Sequence, residues 1–307
     1  MRLLLNAADG VSETPMLKVA LYGFTGSGKT TWSARAPMPL FILTERQGLD
    51  SVRAANPSAT VLMVESWKDF RQAWGYVKNA KRIVLSEKSG DKAGQVAAMT
   101  KIGTTNIAFQ TLVVDSLTDL QTMLLGELGG VKGDKALQLN AKSKMSRDKW
   151  GRVAEILQSI LRDQRSIPAS TVFIMLASDK YDQDDLRRVE PMLAGKTKHE
   201  VGAYFNAVGL ADVNQNSERG IIWMPHRSYA TKQAPGFPRV TRPDCTLGSF
   251  LLARQDGKLT PSEPEDDAGL VVEFRESKSN DDQSSRGRRR KREEDEEESS
   301  EQNQEVE

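Results

Sequence analysis

One octapeptide limits the folds open to this 307-residue chain more than any other feature. GFTGSGKT, residues 23–30, follows the apolar run Val19-Ala20-Leu21-Tyr22 and precedes a segment that stops at Pro37. A strand, a glycine-rich turn and a helix are predicted in that order, because the glycines let backbone N–H groups close around phosphate oxygens. The sequence therefore predicts a nucleotide-binding loop made of Gly23, Phe24, Thr25, Gly26, Ser27, Gly28, Lys29, Thr30 and Thr31.

Composition is that of a chain able to bury one sizeable core. Hydrophobic residues make up 38% of the sequence and charged residues 28%, and no stretch approaches the roughly 20 apolar residues that a membrane span needs. The apolar start, residues 3–5, is too short for a signal-peptide core. The single cysteine, Cys245, can form no internal disulfide. We expect a cytoplasmic protein without a membrane partner.

Short apolar runs alternate with amphipathic stretches from residue 17 to about 233. This alternation predicts an α/β fold with a mostly parallel central sheet flanked by helices. Strands are expected at residues 17–22, 39–44, 60–65, 111–115 and 171–177, and an antiparallel extension at 207–213, 220–225 and 227–232. Helices are expected after the capping residues Ser66 and Ser116 and over residues 146–165. Residues 86–106 and 129–145 are predicted to be mobile loops.

The end of the chain has a different character. We expect a P-loop ATPase domain over residues 1–252, a linker with a candidate docking strand over 253–276, and a disordered tail over 277–307. Six basic residues in 286–292 precede six acidic residues in 293–298. The basic block either binds nucleic acid in competition with the acidic block, or the two blocks neutralise each other and keep the end soluble.

Carboxylates at two strand ends indicate the chemistry that the nucleotide would undergo. Asp115 ends the apolar run TLVVD, where a carboxylate can hold Mg²⁺ beside Thr30, while Lys29 holds the β- and γ-phosphates. Glu45 follows the run PLFILT and can act as general base toward the attacking water. Ser116, not a second acid, follows Asp115. We therefore expect a Mg²⁺-dependent ATPase in which Lys29, Glu45 and Asp115 are catalytic.

Four segments occur in a fixed order along the chain: GFTGSGKT, Glu45 followed by Gly48-Leu49-Asp50, VVDSLTDL, and TVFIMLAS. Over residues 17–233 this set resembles the RecA-like ATPase core, and most closely the short phage nucleotide-binding proteins that consist of a RecA core without accessory domains. The resemblance implies a RecA-like P-loop fold, DNA-stimulated ATP hydrolysis, and a role in phage recombination, annealing or replication in the host cytoplasm. It also implies self-association into a ring or filament on single-stranded DNA, with a single-strand-binding protein as a further candidate partner.

The resemblance places further residues by position. It implies two DNA-binding loops, 129–145 and 179–198, whose cations are Lys132, Lys135, Lys142, Lys144, Arg187, Arg188, Lys196 and Lys198. Basic loops can supply phosphate contacts to single strands, and the alternative is that they are ordinary solvated loops. It implies a polar sensor at Ser178 or Asp179, and a basic residue, Lys232 or Arg239, that reaches the γ-phosphate of a neighbouring subunit.

Two other classes of function remain open on the sequence. A nucleotide-switched loader or partner-binding ATPase, without direct DNA binding, is favoured by the few aromatic residues in the presumed DNA loops, where Tyr181 is the only ring. A small-molecule P-loop kinase would need an arginine-rich lid, and the best arginine pair, Arg187-Arg188, lies among acidic residues.

Overall fold

The structure is a computed structural model, and it describes residues 16–86, 95–129, 147–181, 187–214, 216–234 and 237–241. The strands are β1 (Lys18–Gly23), β2 (Pro39–Leu43), β3 (Thr60–Met63), β4 (Lys81–Val84), β5 (Val96–Ile102), β6 (Thr105–Phe109), β7 (Thr111–Asp115), β8 (Ser170–Tyr181), β9 (Arg187–Pro191), β10 (Ala207–Val213), β11 (Arg219–Ile222) and β12 (Val240–Thr241). The helices are α1 (Lys29–Ala34), α2 (Arg46–Ala55), α3 (Trp67–Lys78), α4 (Leu117–Gly129), α5 (Arg147–Asp163) and α6 (Thr197–Glu200).

A nine-stranded sheet organises the described residues. Its order is β12-β11-β10-β1-β8-β7-β2-β3, and β9 pairs with the far end of β8. The pairs from β10 across to β3 are all parallel. The strands β1, β2 and most of β7 are buried on both faces, which explains their continuous apolar runs. The predicted α/β fold with a mostly parallel sheet is confirmed.

Helices cover both faces of this sheet, as the apolar stripes predict. On one face α3, α4 and α5 pack against the sheet through Phe70, Leu120 and Leu157. On the other face α1 and α2 pack through Trp32 and Val52. Helix α5 lies within the predicted range 146–165 and continues into a 3-10 turn, Gln164–Ser166.

The predicted caps are present at two helix starts. The Ser66 hydroxyl accepts a hydrogen bond from the Asp69 N–H at 3.2 Å at the start of α3. The Ser116 hydroxyl does the same for the Asp119 N–H at 3.2 Å at the start of α4. Both caps satisfy a backbone donor that the helix itself leaves unpaired.

One predicted loop is a small sheet instead. Within the range 86–106, residues 95–106 contain β5 and the start of β6, and β4, β5 and β6 form a separate antiparallel sheet. Gly103, with φ of +60°, makes the tight turn between β5 and β6. The loop prediction was wrong because the run Val96-Ala97-Ala98 is weakly apolar by itself, yet its alanines are buried beside α3.

The sheet extension also differs from the prediction. β10 pairs in parallel with β1, and antiparallel pairing begins only with β11. Residues 227–232 form isolated bridges, such as Val208 with Lys232, not a strand. The predicted loop 129–145 lies, from residue 130 onward, outside the described residues, as do the linker and tail.

Candidate functional site

The predicted phosphate loop, residues 23–30, connects β1 to α1 and depends on glycine at three places. Gly26 and Gly28 have φ of +82° and +86°, a left-handed conformation that strains other residues. A methyl group on Gly23 would lie 2.3 Å from the carbonyl oxygen of Ala211 in β10. The loop backbone therefore takes its shape from conformations and a close approach that only glycine allows.

Lys29 lies inside this loop, at the start of α1. Its ammonium group donates to the carbonyl oxygens of Gly23 and Phe24, both at 2.8 Å. Burial lowers the pKa of Lys29 to about 8, while the negative charges of Asp115 and Glu45 act in the opposite direction. The positive charge is thus held in place at the centre of the loop, partly removed from water.

Thr30 and Asp115, the two predicted Mg²⁺ ligands, are brought together by the fold. The Thr30 hydroxyl donates to Oδ2 of Asp115 at 2.7 Å, although β8 lies between β1 and β7 in the sheet. Burial raises the pKa of Asp115 to about 6, against the hydrogen bond from Thr30 and the charge of Lys29. A hydroxyl beside a carboxylate fits Mg²⁺, which takes few protein oxygens when a nucleotide supplies the others.

Thr44 and Asp119 complete the site, and sequence reasoning did not assign either of them to it. The Thr44 N–H donates to the carbonyl oxygen of Asp115 at 2.8 Å, and its hydroxyl accepts from the Ser116 N–H at 3.0 Å. The same hydroxyl lies 2.9 Å from Oδ2 of Asp119, to which the Ser116 hydroxyl also donates. These contacts join the carboxyl ends of β2 and β7, so they position both Glu45 and Asp115.

Glu45 directly follows this network at the start of α2. Partial desolvation of its carboxyl group raises its pKa, the charge of Asp119 adds to the rise, and Lys29 opposes it. Glu45 thus lies within the electrostatic field of both Lys29 and Asp119. A carboxylate with a raised pKa near a phosphate loop is a suitable proton acceptor.

Comparison with known proteins agrees with this geometry. A family model described as an AAA domain matches residues 16–234, more than half of the chain. The chain belongs to the AAA domain family. Membership makes it a P-loop, nucleotide-binding ATPase. The chain matches no curated protein.

The AAA domain of this chain carries Ser116 in the position after Asp115, and the structure shows how that serine is used. Its N–H binds Thr44, and its hydroxyl both caps α4 and donates to Asp119. Ser116 therefore fixes the strand end and the helix start. In the described part of the chain, no group of three or more His, Cys, Asp or Glu residues forms a separate metal site.

The predicted sensor residues do not lie at a strand end. β8 continues to Tyr181, and its outer part forms an antiparallel hairpin with β9, in which Ser178 faces Glu190 and Asp179 faces Val189. The polar sequence beyond Ala177 stays extended because β9 supplies the backbone partners that β1 and β7 no longer provide. Within the predicted DNA loop 179–198, residues 179–181 and 187–191 therefore form paired strands and α6 begins at Thr197, while residues 182–186 lie outside the described residues.

The predicted DNA-binding cations fall in different settings. Lys132, Lys135, Lys142 and Lys144 lie outside the described residues. Arg187 begins β9, and Arg188 is exposed beside it. Lys196 is exposed, but Lys198 forms a 2.6 Å ion pair with Glu190. Partial burial would raise the pKa of Glu190, yet the hydrogen bond and charge of Lys198 hold it below its usual value.

Lys232, one of the two residues predicted to act on a neighbouring subunit, lies away from the loop of its own chain. The Lys232 ammonium donates to the carbonyl oxygens of Gly202 and Phe205, at 3.0 and 2.8 Å, just before β10 begins. That is the amino edge of the parallel sheet, and the phosphate loop is at the carboxyl edge. Arg239 precedes β12, and its carbonyl oxygen accepts from the Trp223 N–H.

Arg219, on β11, was not predicted to belong to the site. It lines a cavity of about 170 Å³ together with loop residues that include Lys29 and Thr30. No local motif marks it, because it reaches the loop through the pairing of β10 with β1 and of β11 with β10. Within the described ranges, no helix is long and apolar enough to cross a membrane.

Proposed function

We propose that this AAA domain is a Mg²⁺-dependent ATPase that acts on single-stranded DNA in a RecA-like manner, in phage recombination, annealing or replication. The observation that carries the ATPase part is the contact between Thr30 and Asp115 beside Lys29, with Glu45 in the field of the same lysine. The loop N–H groups and Lys29 would bind the ATP phosphates, and Thr30 and Asp115 would hold Mg²⁺.

Each residue has a defined part in hydrolysis. Mg²⁺ supplies charge neutralisation on the phosphate oxygens when it is bound. Glu45 accepts the proton of the attacking water at its carboxylate, and Thr44 and Asp119 fix the backbone from which Glu45 projects. Lys29 stabilises negative charge that develops on the phosphates.

Glu45→Gln tests this assignment. The variant should bind ATP with unchanged affinity and lose hydrolysis, because an amide cannot accept the proton. Glu65→Gln is the matched control, since Glu65 lies two residues beyond β3 and pairs with Arg46 on the surface. Hydrolysis by Glu45→Gln at the wild-type rate, with single-stranded DNA present, would refute Glu45 as the base.

The β8–β9 hairpin supports the DNA part of the proposal. Its exposed surface combines cations with an aromatic ring: Lys180 faces Arg188 across the ladder, and the adjacent Tyr181 is 55% exposed. Cations bind the phosphate backbone and an exposed ring can stack on a base. A hairpin with this composition is suited to a single strand of any sequence.

Helix α4 connects this hairpin to the nucleotide site. It begins two residues after Asp115, and its buried Thr118 accepts from the Leu176 N–H at 3.0 Å. One turn later, Gln121 accepts from the Ala194 N–H at 2.6 Å. These bonds hold both sides of the hairpin base, and they are the basis for expecting DNA-stimulated hydrolysis.

Filter binding to single-stranded DNA at several salt concentrations tests DNA binding. The affinity of the wild-type protein for single-stranded DNA should fall steeply as the salt concentration rises. The double variant Lys180→Gln/Arg188→Gln should bind more weakly, and its affinity should depend less on salt. Lys68→Gln with Arg71→Gln on α3 removes the same charge from another surface. The ion pair of Lys198 with Glu190 favours the alternative, a nucleotide-switched loader. Absence of binding at low salt would refute the DNA role and favour that alternative.

A further inference from the structure

The β10–β11 hairpin forms a wall of the nucleotide site. At one end of the loop, Gly23 approaches the carbonyl oxygen of Ala211. At the other end, a methyl group on Gly28 would lie 3.0 Å from Cδ of Arg219. The loop is therefore in close contact with β10 at its start and with the Arg219 side chain near its end.

Two cavities meet at Arg219. The first is polar and is lined by the residues that would bind phosphate, including Lys29 and Thr30. The second is more apolar, shares Gly28 with the first, and is lined among others by Trp32, Ile221 and Thr241. Arg219 lines both cavities, so its side chain stands at the boundary between them.

The guanidinium group is available for a ligand. Arg219 is exposed, and among the residues that the structure describes no carboxylate or carbonyl group accepts a hydrogen bond from it. Its backbone is fixed, because it pairs with Val213 across the ladder and follows a turn closed by Asn214, which accepts from the Glu218 N–H at 2.8 Å. A fixed backbone with a charge held beside a phosphate loop is a suitable arrangement for anion recognition.

We propose that Arg219 binds the nucleotide at the junction of its phosphates and its nucleoside. The guanidinium group contacts the α-phosphate, and the more apolar cavity beside Trp32 and Ile221 takes the ribose and base. The planar guanidinium can donate two parallel hydrogen bonds to phosphate oxygens. This inference rests on the nucleotide binding proposed above, and it adds a residue from outside the loop motif.

Titration of ATP and of ADP into Arg219→Gln tests the assignment. A lost hydrogen bond to a charged group should weaken binding of both nucleotides by about 10- to 100-fold. The loss should be equal for ATP and ADP, because the α-phosphate is common to both. Arg219→Lys should lie between wild type and Arg219→Gln, since an ammonium keeps the charge without the planar fork. Arg71→Gln, an exposed arginine on α3, is the matched control and should bind as wild type does.

The possible results separate the inferences. If Arg219→Gln binds both nucleotides with wild-type affinity, or loses affinity for ATP alone, the contact with the α-phosphate is overturned. Nucleotide binding itself then still stands. Wild-type protein that binds neither nucleotide would overturn nucleotide binding, and the role of Arg219 with it. Thermal unfolding without nucleotide checks that Arg219→Gln and Arg71→Gln are equally folded.

Discussion

Replacing Asp115 with asparagine removes a half-buried negative charge and keeps the size of the side chain. Burial raises the pKa of Asp115 from 3.8 to about 6 in the folded protein. One pKa unit corresponds to about 1.4 kcal/mol, so ionised Asp115 lowers the free energy of unfolding at neutral pH by at most about 3 kcal/mol. The hydrogen bond from Thr30 and the charge of Lys29 oppose the rise and are already contained in this pKa. Asp115→Asn should therefore be more stable than wild type by up to about 3 kcal/mol at pH 7.5.

The pH dependence gives a second measure of the same effect. Asp115 binds its proton near pH 6 in the folded state and near pH 3.8 in the unfolded chain. Between these values the folded state holds more protons, so the wild-type free energy of unfolding falls as the pH rises. Asp115→Asn lacks this slope. Its advantage should shrink by about 1.4 kcal/mol between pH 7.5 and pH 5.0, because wild-type Asp115 is largely protonated in the folded state at the lower pH.

Urea unfolding of both proteins at pH 5.0 and 7.5, without nucleotide or Mg²⁺, measures these differences. Asp50→Asn, which removes an exposed carboxylate from α2, is the control and should show no such gain. The loss of function should appear separately. Asp115→Asn should not hydrolyse ATP, and adding Mg²⁺ to its ADP complex should not raise the free energy of unfolding further, as it should in wild type. The reasoning would be refuted if Asp115→Asn were no more stable than wild type at pH 7.5, or if its advantage in free energy of unfolding did not shrink at pH 5.0.

Three further predictions follow from single contacts. Nucleotide affinity should be highest below pH 8 and weaken above it, as the Lys29 ammonium loses its proton, and fluorescent ADP titrations should show no such pH dependence in Lys29→Met. Gly209→Ala should lower the free energy of unfolding by about 1–3 kcal/mol, because the methyl group would lie 2.5 Å from Ile221, whereas Gly151→Ala in α5, with open space around it, should raise that free energy in urea unfolding. Lys232→Ala should reduce hydrolysis without weakening nucleotide binding, and mixing it with Glu45→Gln subunits should restore part of the activity; no restoration would exclude a role of Lys232 in a neighbouring site.

Local sequence was sufficient wherever short-range physics decides the structure. The turn at residues 23–30 could be predicted because Gly26 and Gly28 need a backbone conformation that glycine alone adopts freely. The strands at β1, β2 and β7 could be predicted because strands buried on both faces are apolar throughout. Ser66 and Ser116 marked helix starts because a capping hydroxyl needs only a neighbour three residues away.

Long-range pairing decided the rest. β8 lies between β1 and β7, so the contact of Thr30 with Asp115 crosses a strand that begins 55 residues after Asp115. Beyond Ala177 the sequence of β8 is polar, and it stays extended only because β9 pairs with it, which local periodicity does not indicate. Arg219 likewise reaches Gly28 through two successive strand pairings. The sequence by itself thus determined the phosphate loop and the parallel strands, while the tertiary structure decided which distant side chains face that loop, because strand order depends on packing between elements far apart in the chain.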